Sequence, residues 1–270
     1  MASIDCKGKG DLIAGLKREE INQIRRQLRG WYERPIGKLL RKHEQTQLEQ
    51  MLSNLFGYHI VQVGCLSGDD LLASSRISHH FLLDPNGDSD WAKISACAYP
   101  DAIPLASDSV DVAVLPHTLE FDRDPHQILR EVDRILIPEG HIVILGFNPW
   151  SLWGLRSLLH RRGRNVPWCG DLLSINRVKD WMGLLGYDVV AIQCFFYRPP
   201  FQRRGLMRKL KFMERAGKKL WPGSAGCYTL VAKKRVTTLT PIKPRWRANP
   251  RTLVRGLARP TTQANHREQF

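Results

Sequence analysis

The chain has 270 residues, enough for one α/β domain with extensions, and its 43% hydrophobic content suffices for a buried core. Its net charge of +15 argues for contact with anionic partners and carries no information about fold. No run approaches the roughly 18–20 apolar residues of a membrane-spanning helix, no apolar leader opens the sequence, and the six cysteines form no CxxC pair, so a cytoplasmic protein with reduced thiols and no metal is expected.

The charge is unevenly distributed. Residues 1–58 carry +4, residues 59–155 carry −9, residues 156–235 carry +14 and residues 236–270 carry +6. An acidic middle is thus flanked by basic parts. The flanks suit RNA, DNA or an anionic membrane surface, or they are a solvated surface that maintains solubility.

In chain order, apolar residues at three- to four-residue steps (Ile21, Ile24, Leu28, then Leu39, Leu40, Leu48, Met51, Leu52 and Leu55) predict helices over 17–55. Pro35 with Gly37 divides them into two, and Gly57 closes the second. From Tyr58 the period changes. Residues 58–64 form a strand-like run ending in glycine, 67–75 read as a helix, and 79–84 read as a second strand closed by Pro85-Asn86-Gly87. A weak third strand is expected near 94–98 and a clear fourth at 109–116. An amphipathic helix at 124–136 has Asp124 as its N-cap and Pro125 at its first position. After a turn at Pro138-Glu139-Gly140, residues 141–147 read as a buried strand. Residues 148–173 are irregular, with a short helix around 152–159. Ser174 caps a helix that ends at Gly186, and two last strands follow. Residues 238–270, rich in Pro, Arg, Thr and Asn, read as a disordered basic tail.

Alternating strands and helices imply a doubly wound, mostly parallel sheet covered on both faces, with ligands at the strand carboxyl ends. The turns that would meet a ligand are Gly64–Gly68, Asp84–Gly87 and Leu115–Glu120.

These turns carry a resemblance. Val61-Gln62-Val63-Gly64-Cys65-Leu66-Ser67-Gly68 is similar to the strand and glycine-rich loop of class I S-adenosylmethionine (SAM)-dependent methyltransferases, with Gln62 in place of the usual acid and Leu66 in place of the middle glycine. Asp84 stands where the family binds the ribose hydroxyls. The longest match runs through Ile103-Pro104-Leu105, Asp108 to Val112, Leu115 to Phe121, Asp124-Pro125, Leu129 to Glu131, Arg134 to Leu136 and Pro138-Glu139-Gly140. It resembles the methyltransferase type 11-like domain, with Phe121 for a second histidine and Glu139 for a turn glycine. Gly146 to Pro149, Gly154 to Arg156, Trp31-Tyr32, Asp180-Trp181 and Ala232 to Arg235 resemble a bacterial subgroup of that family, a likeness that implies no particular acceptor.

The resemblance implies a seven-stranded Rossmann-like methyltransferase domain over 58–237, with 148–173 as a substrate-side insertion or lid, after an N-terminal helical extension over 1–57. It implies SAM as cofactor, with Gly64, Cys65, Gly68, Asp84, Tyr99 and Leu115 as its binding residues. Tyr99 replaces the aspartate that faces adenine, and would stack on the base or pack in the core. His117 is the candidate catalytic base, or else a hydrogen-bonded histidine at a strand end. Trp150, Trp153 and Trp168, with Arg156, Arg161, Arg162 and Arg164, stack and hold a nucleic acid or pack as a lid. A basic amphipathic helix over 198–219 is a further surface for RNA or anionic lipid, or simply a solvated surface helix. Two functions follow: methyl transfer to an acceptor, or a lapsed methyltransferase fold that binds an anionic partner. Altered Gln62, Leu66 and Tyr99 motivate the second.

Overall fold

The computed structural model describes residues 13, 15–65, 71–86, 94–160, 166–200, 213, 214, 217, 219 and 221–236. Two helices come first. Helix α1 (Arg18–Tyr32) buries Ile21, Arg25, Leu28, Trp31 and Tyr32, one face at helical spacing. Pro35 opens α2 (Pro35–Leu52) at its first position, and α2 buries Ile36, Leu40, Glu44, Leu48 and Leu52. The corner between them requires glycine at 37, because a β-carbon there would lie 2.4 Å from the Trp31 carbonyl oxygen.

The described strands are β1 (His59–Val63), β2 (His79–Leu83), β3 (Val110–Pro116), β4 (Leu136–Phe147), β5 (Tyr187–Phe195) and β6 (Cys227–Lys234). They form one sheet in the order β2-β1-β3-β4-β6-β5. Contacts among β2, β1, β3 and β4 are parallel, and β6 runs antiparallel to both neighbours. The strand expected near 94–98 is reduced to a single bridge between Leu83 and Ala96, so six strands stand where seven were expected. Of the helix expected over 67–75, residues 71–74 form turns and 66–70 lie outside the described residues.

Helices α3 (Pro125–Ile135), α4 (Leu152–His160) and α5 (Ile175–Leu184) complete the elements used below. Asp124 and Ser174 cap α3 and α5 as expected, accepting from the amides of Gln127 and Arg177. The turn at 138–140 is absorbed into β4 as an irregularity opposite Val110 and Val112. There Glu139 adopts φ +67°, the left-handed conformation that glycine supplies elsewhere in the family pattern.

Three clusters form the core. One sheet face, including Val61, Val63, Ala113, Ile142 and Ile144, packs on α3 and α5. The opposite face, including Ile60, Val112, Val114 and Val143, packs on the second half of α2 and on Leu71, Leu72 and Ile77. The third cluster sits at the strand ends. It joins Leu28, Trp31, Tyr32, Ile36 and Leu40 of the N-terminal helices to Phe121, Phe147, Trp153, Trp168 and Phe196. The N-terminal helices therefore cover the end of the sheet where a doubly wound fold receives its ligand.

Candidate functional site at the strand carboxyl ends

β1 ends in Gly64, whose φ of +92° suits glycine alone. A β-carbon there would meet Thr118 Oγ1 at 2.9 Å. That hydroxyl donates to the Val63 carbonyl at 2.5 Å, which fixes the β3 turn against the β1 loop. The Gln62 amide donates to the Gly64 carbonyl at 3.0 Å, out of solvent. A carboxylate, the family's usual residue, has no proton to offer that carbonyl.

Asp84 follows β2 and is 1% exposed. Its Oδ2 accepts from the Cys65 amide at 2.7 Å, and its Oδ1 accepts from the Asn86 amide at 2.8 Å. The carboxylate thus faces the glycine loop. Oδ1 also pairs with the guanidinium of Arg29, which reaches in from α1 and donates as well to the Cys65 carbonyl at 2.9 Å. One cation therefore lies across the corner formed by loop and carboxylate.

Arg29 has two companions on the same helix. Arg18 pairs with Asp101 at 2.9 Å, and Arg25 pairs with Asp122 at 2.8 Å with both side chains almost fully buried. Positions 18, 25 and 29 share one helical face. Each arginine meets an aspartate from the acidic middle of the chain. Exposed pairs contribute little, but a buried one must be matched or it is costly. The narrow cleft left between Arg18, Ile21, Arg25, Tyr99, Asp101 and Asp122 measures about 10 Å³, on the order of one water. Tyr99 is half-buried beside it, with the Arg18 guanidinium 4.5 Å from its ring centroid.

Behind the glycine loop, His117 lies between two carboxylates. Its Nδ1 is 2.9 Å from Glu120 and its Nε2 is 3.0 Å from Glu44 of α2. Burial would lower its pKa, but the hydrogen bonds to Glu120 and Glu44 overturn this and raise it to about 9. The Tyr32 hydroxyl donates to Glu44 at 2.9 Å, and the Phe147 amide donates to Glu120. All four side chains are buried. His117 takes φ +50° and lies 4.2 Å, ring to ring, from Phe147. With both nitrogens engaged and the ring out of solvent, the geometry describes a latch joining α2 to the β3 turn. Spacing in the sequence suggested no metal ligands. The fold nevertheless gathers ligand atoms of Glu44, His117 and Cys227 within 4.8 Å of one another, and the hydrogen bonds just described already engage the first two.

Of the residues expected to bind a cofactor, Gly64, Cys65 and Asp84 lie together. Tyr99 lies on the α1 side of the same edge. The Leu115 side chain is in the core, so only its backbone is on offer to a ligand. Gly68, with Leu66, falls outside the described residues, as do Arg161, Arg162, Arg164, most of the expected 198–219 helix and the tail over 238–270. Trp153 and Trp168 are 1% and 8% exposed and pack in the aromatic cluster. They cannot stack on a nucleic acid, whereas Trp150 is 80% exposed. The arginines of α1 were not foreseen. Their signal is the basic N-terminal stretch preceding an acidic middle, a charge pattern that does not say which residues pair. Among the described residues no helix is long and apolar enough to cross a membrane.

Residues 62–144 match the family model described as a methyltransferase domain. The chain is 33% identical over 211 residues to the uncharacterized protein YafS of Escherichia coli, covering 78% of this chain and 82% of that protein. It is 28% identical over 184 residues to the uncharacterized protein Rv2003c of Mycobacterium tuberculosis, of which it spans 60%. Among solved structures, a SAM-dependent methyltransferase from Thermotoga maritima is similar with a TM-score of 0.52 and 17% identity, over 70% of this chain and 88% of that one. Another, from Archaeoglobus fulgidus, gives 0.51 and 17%, over 72% and 94%.

Proposed function

The chain belongs to the class I SAM-dependent methyltransferases, whose cofactor is S-adenosylmethionine, and from that premise we propose that it transfers the methyl group from a crevice bounded by Gly64, Cys65 and Asp84 and covered by α1. The cofactor supplies an electrophilic sulfonium methyl, so the protein's task is to bind, orient and exclude water.

The observation that carries this reading is the Asp84 carboxylate, buried at a strand end and turned toward the glycine loop. A charged acceptor so placed suits the vicinal hydroxyls of a ribose. Gly64 gives the loop its positive-φ turn and its close contact with Thr118, which shape the backbone offered to a ligand. Gln62 and Thr118 hold that backbone from behind. Arg29 occupies the near side of the carboxylate, so the ribose must displace or share it. The Arg29 side chain therefore swings aside or shares the carboxylate when the cofactor enters. We assign no base: His117 already holds two carboxylates, and its proton serves the latch to α2.

A second reading, a fold that binds a partner without turnover, is favoured by one observation, the Arg29–Asp84 pair across the crevice. Calorimetric titration of the full chain with SAM and S-adenosylhomocysteine separates the two. The methyltransferase reading expects a saturable heat for both ligands that Asp84→Asn weakens. The absence of heat from either ligand would leave the second reading.

A further inference from the structure

Helix α4 is locked in one orientation. Its inner side chains are Trp153, 1% exposed, and Ser157, whose hydroxyl donates to the Trp168 carbonyl at 3.1 Å. The Trp153 indole donates to the Arg198 carbonyl at 2.8 Å. At Gly154 the helix lies so close to the preceding turn that a β-carbon would stand 1.9 Å from the Pro149 carbonyl oxygen. The helix therefore cannot roll. What it presents outward is apolar: Leu152, Leu155, Leu158 and Leu159 are 45%, 53%, 62% and 73% exposed, and Trp150 just before the helix is 80% exposed. A groove of about 410 Å³ runs beside them, lined by Pro149, Trp150, Leu155, Leu158 and Leu172.

Single exposed leucines are ordinary, but five large apolar side chains within ten residues mark a contact surface. The chain around them is basic. Arg161, Arg162 and Arg164 follow the helix directly, and residues 156–235 carry +14. Nine residues are too few to span a bilayer. Exposed tryptophan and leucines, in a part of the sequence with a large excess of basic residues, fit the plane where anionic headgroups meet acyl chains. Leucines offer nothing to nucleobases, which argues against RNA as the occupant.

We propose that Trp150 and the leucine face of α4 dock the protein on an anionic lipid bilayer surface, the apolar side chains entering the acyl boundary while the basic charge of this part of the sequence favours anionic headgroups. This surface does not depend on the methyl-transfer reading.

The test is co-sedimentation of the full chain with vesicles containing phosphatidylglycerol and with vesicles of phosphatidylcholine alone. Sedimentation velocity without lipid accompanies it. Binding is expected to the anionic vesicles only. It should weaken with salt, and the emission difference between wild type and Trp150→Phe should shift to the blue on binding. Leu155→Glu with Leu158→Glu should lower partitioning by about tenfold or more while leaving the SAM titration unchanged. Both positions face solvent, so the fold should survive. If the thermal midpoint of that variant falls, Leu159→Glu replaces it. Four results would overturn the proposal: no binding by the wild type, equal binding by the leucine variants, a wild-type dimer that those variants dissociate, or RNA binding that they abolish.

Discussion

The guanidinium of Arg29 on α1 pairs with the Asp84 carboxylate at the end of β2 and also donates to the Cys65 carbonyl in the glycine loop. One side chain from the N-terminal extension thus ties the glycine loop to the Asp84 carboxylate. A ligand that needs Asp84 competes with it, and the competition lowers apparent affinity. Arg29→Gln should therefore bind SAM more tightly, by roughly tenfold for one charged hydrogen bond no longer displaced. The same change leaves a buried carboxylate without its cation, and the folded state should lose about 3 kcal/mol. Calorimetry with a thermal melt reads both effects. Weaker binding by Arg29→Gln would mean that the guanidinium touches the cofactor itself. Asp84→Asn should weaken binding by about tenfold or more.

Gly64 and Gly186 make a matched pair. Both have positive φ, +92° and +81°. A β-carbon at 64 meets Thr118 Oγ1 at 2.9 Å, whereas at 186 nothing lies within 4 Å. Alanine at either site costs about 1–2 kcal/mol of backbone strain. Gly64→Ala should cost more and should also lose SAM affinity, because the Thr118 hydroxyl is tied to Val63 and gives little. Gly186→Ala should melt earlier and bind normally. Equal affinities in the two variants would remove Gly64 from the site.

The contrast explains what the sequence disclosed. Local periods and caps carried most of the fold: Asp124 with Pro125, Ser174 with Gly186, and the division of the first helices at Pro35 all stand where expected. The strand ends were legible for the same reason, since Gly64 and Asp84 each close an apolar run. Pairing between distant segments was not legible. Nothing local says that Arg25 will meet Asp122 or that Glu44 will meet His117, 73 residues later. The third strand is reduced to one bridge, although residues 94–98 alternate between inner and exposed side chains and hydrogen-bond along the β2 edge through Leu82 and Asp84. For Trp153 and Trp168 the sequence leaves packing and nucleic-acid stacking open, since aromatics beside arginines look alike whether they pack inward or bind outward, and the fold packs both.

Gln62 departs from the family's acid, and its side chain has a structural task. Its amide donates to the Gly64 carbonyl in a buried setting. Gln62→Glu restores the family's acid but places an acceptor against an acceptor. The expected cost is about 1–3 kcal/mol at neutral pH, with weaker SAM binding. Protonating the new carboxyl restores a donor, so the deficit relative to wild type should shrink as the pH is lowered. Chemical denaturation at several pH values reads this directly, and a variant as stable as wild type at neutral pH would show that the loop does not need the bond.

His117 is raised from 6.5 to about 9 because the hydrogen bonds to Glu120 and Glu44 outweigh the effect of burial. Cys227 of β6 and Tyr32 of α1 also adjoin Glu44, and burial keeps both of them protonated well above their ordinary range. A group raised in the folded state contributes stability that is complete below its unfolded pKa and is lost as the pH passes through the folded one. Unfolding free energy should therefore decline between about pH 6.5 and pH 9, by up to about 3 kcal/mol for His117 alone. Denaturant titrations across that window should show the decline in wild type. His117→Gln should be less stable at neutral pH, since two buried carboxylates lose their shared donor, and its stability should vary much less with pH. An equal slope in the variant would locate the proton elsewhere and leave α2 without its titratable tie to the β3 turn.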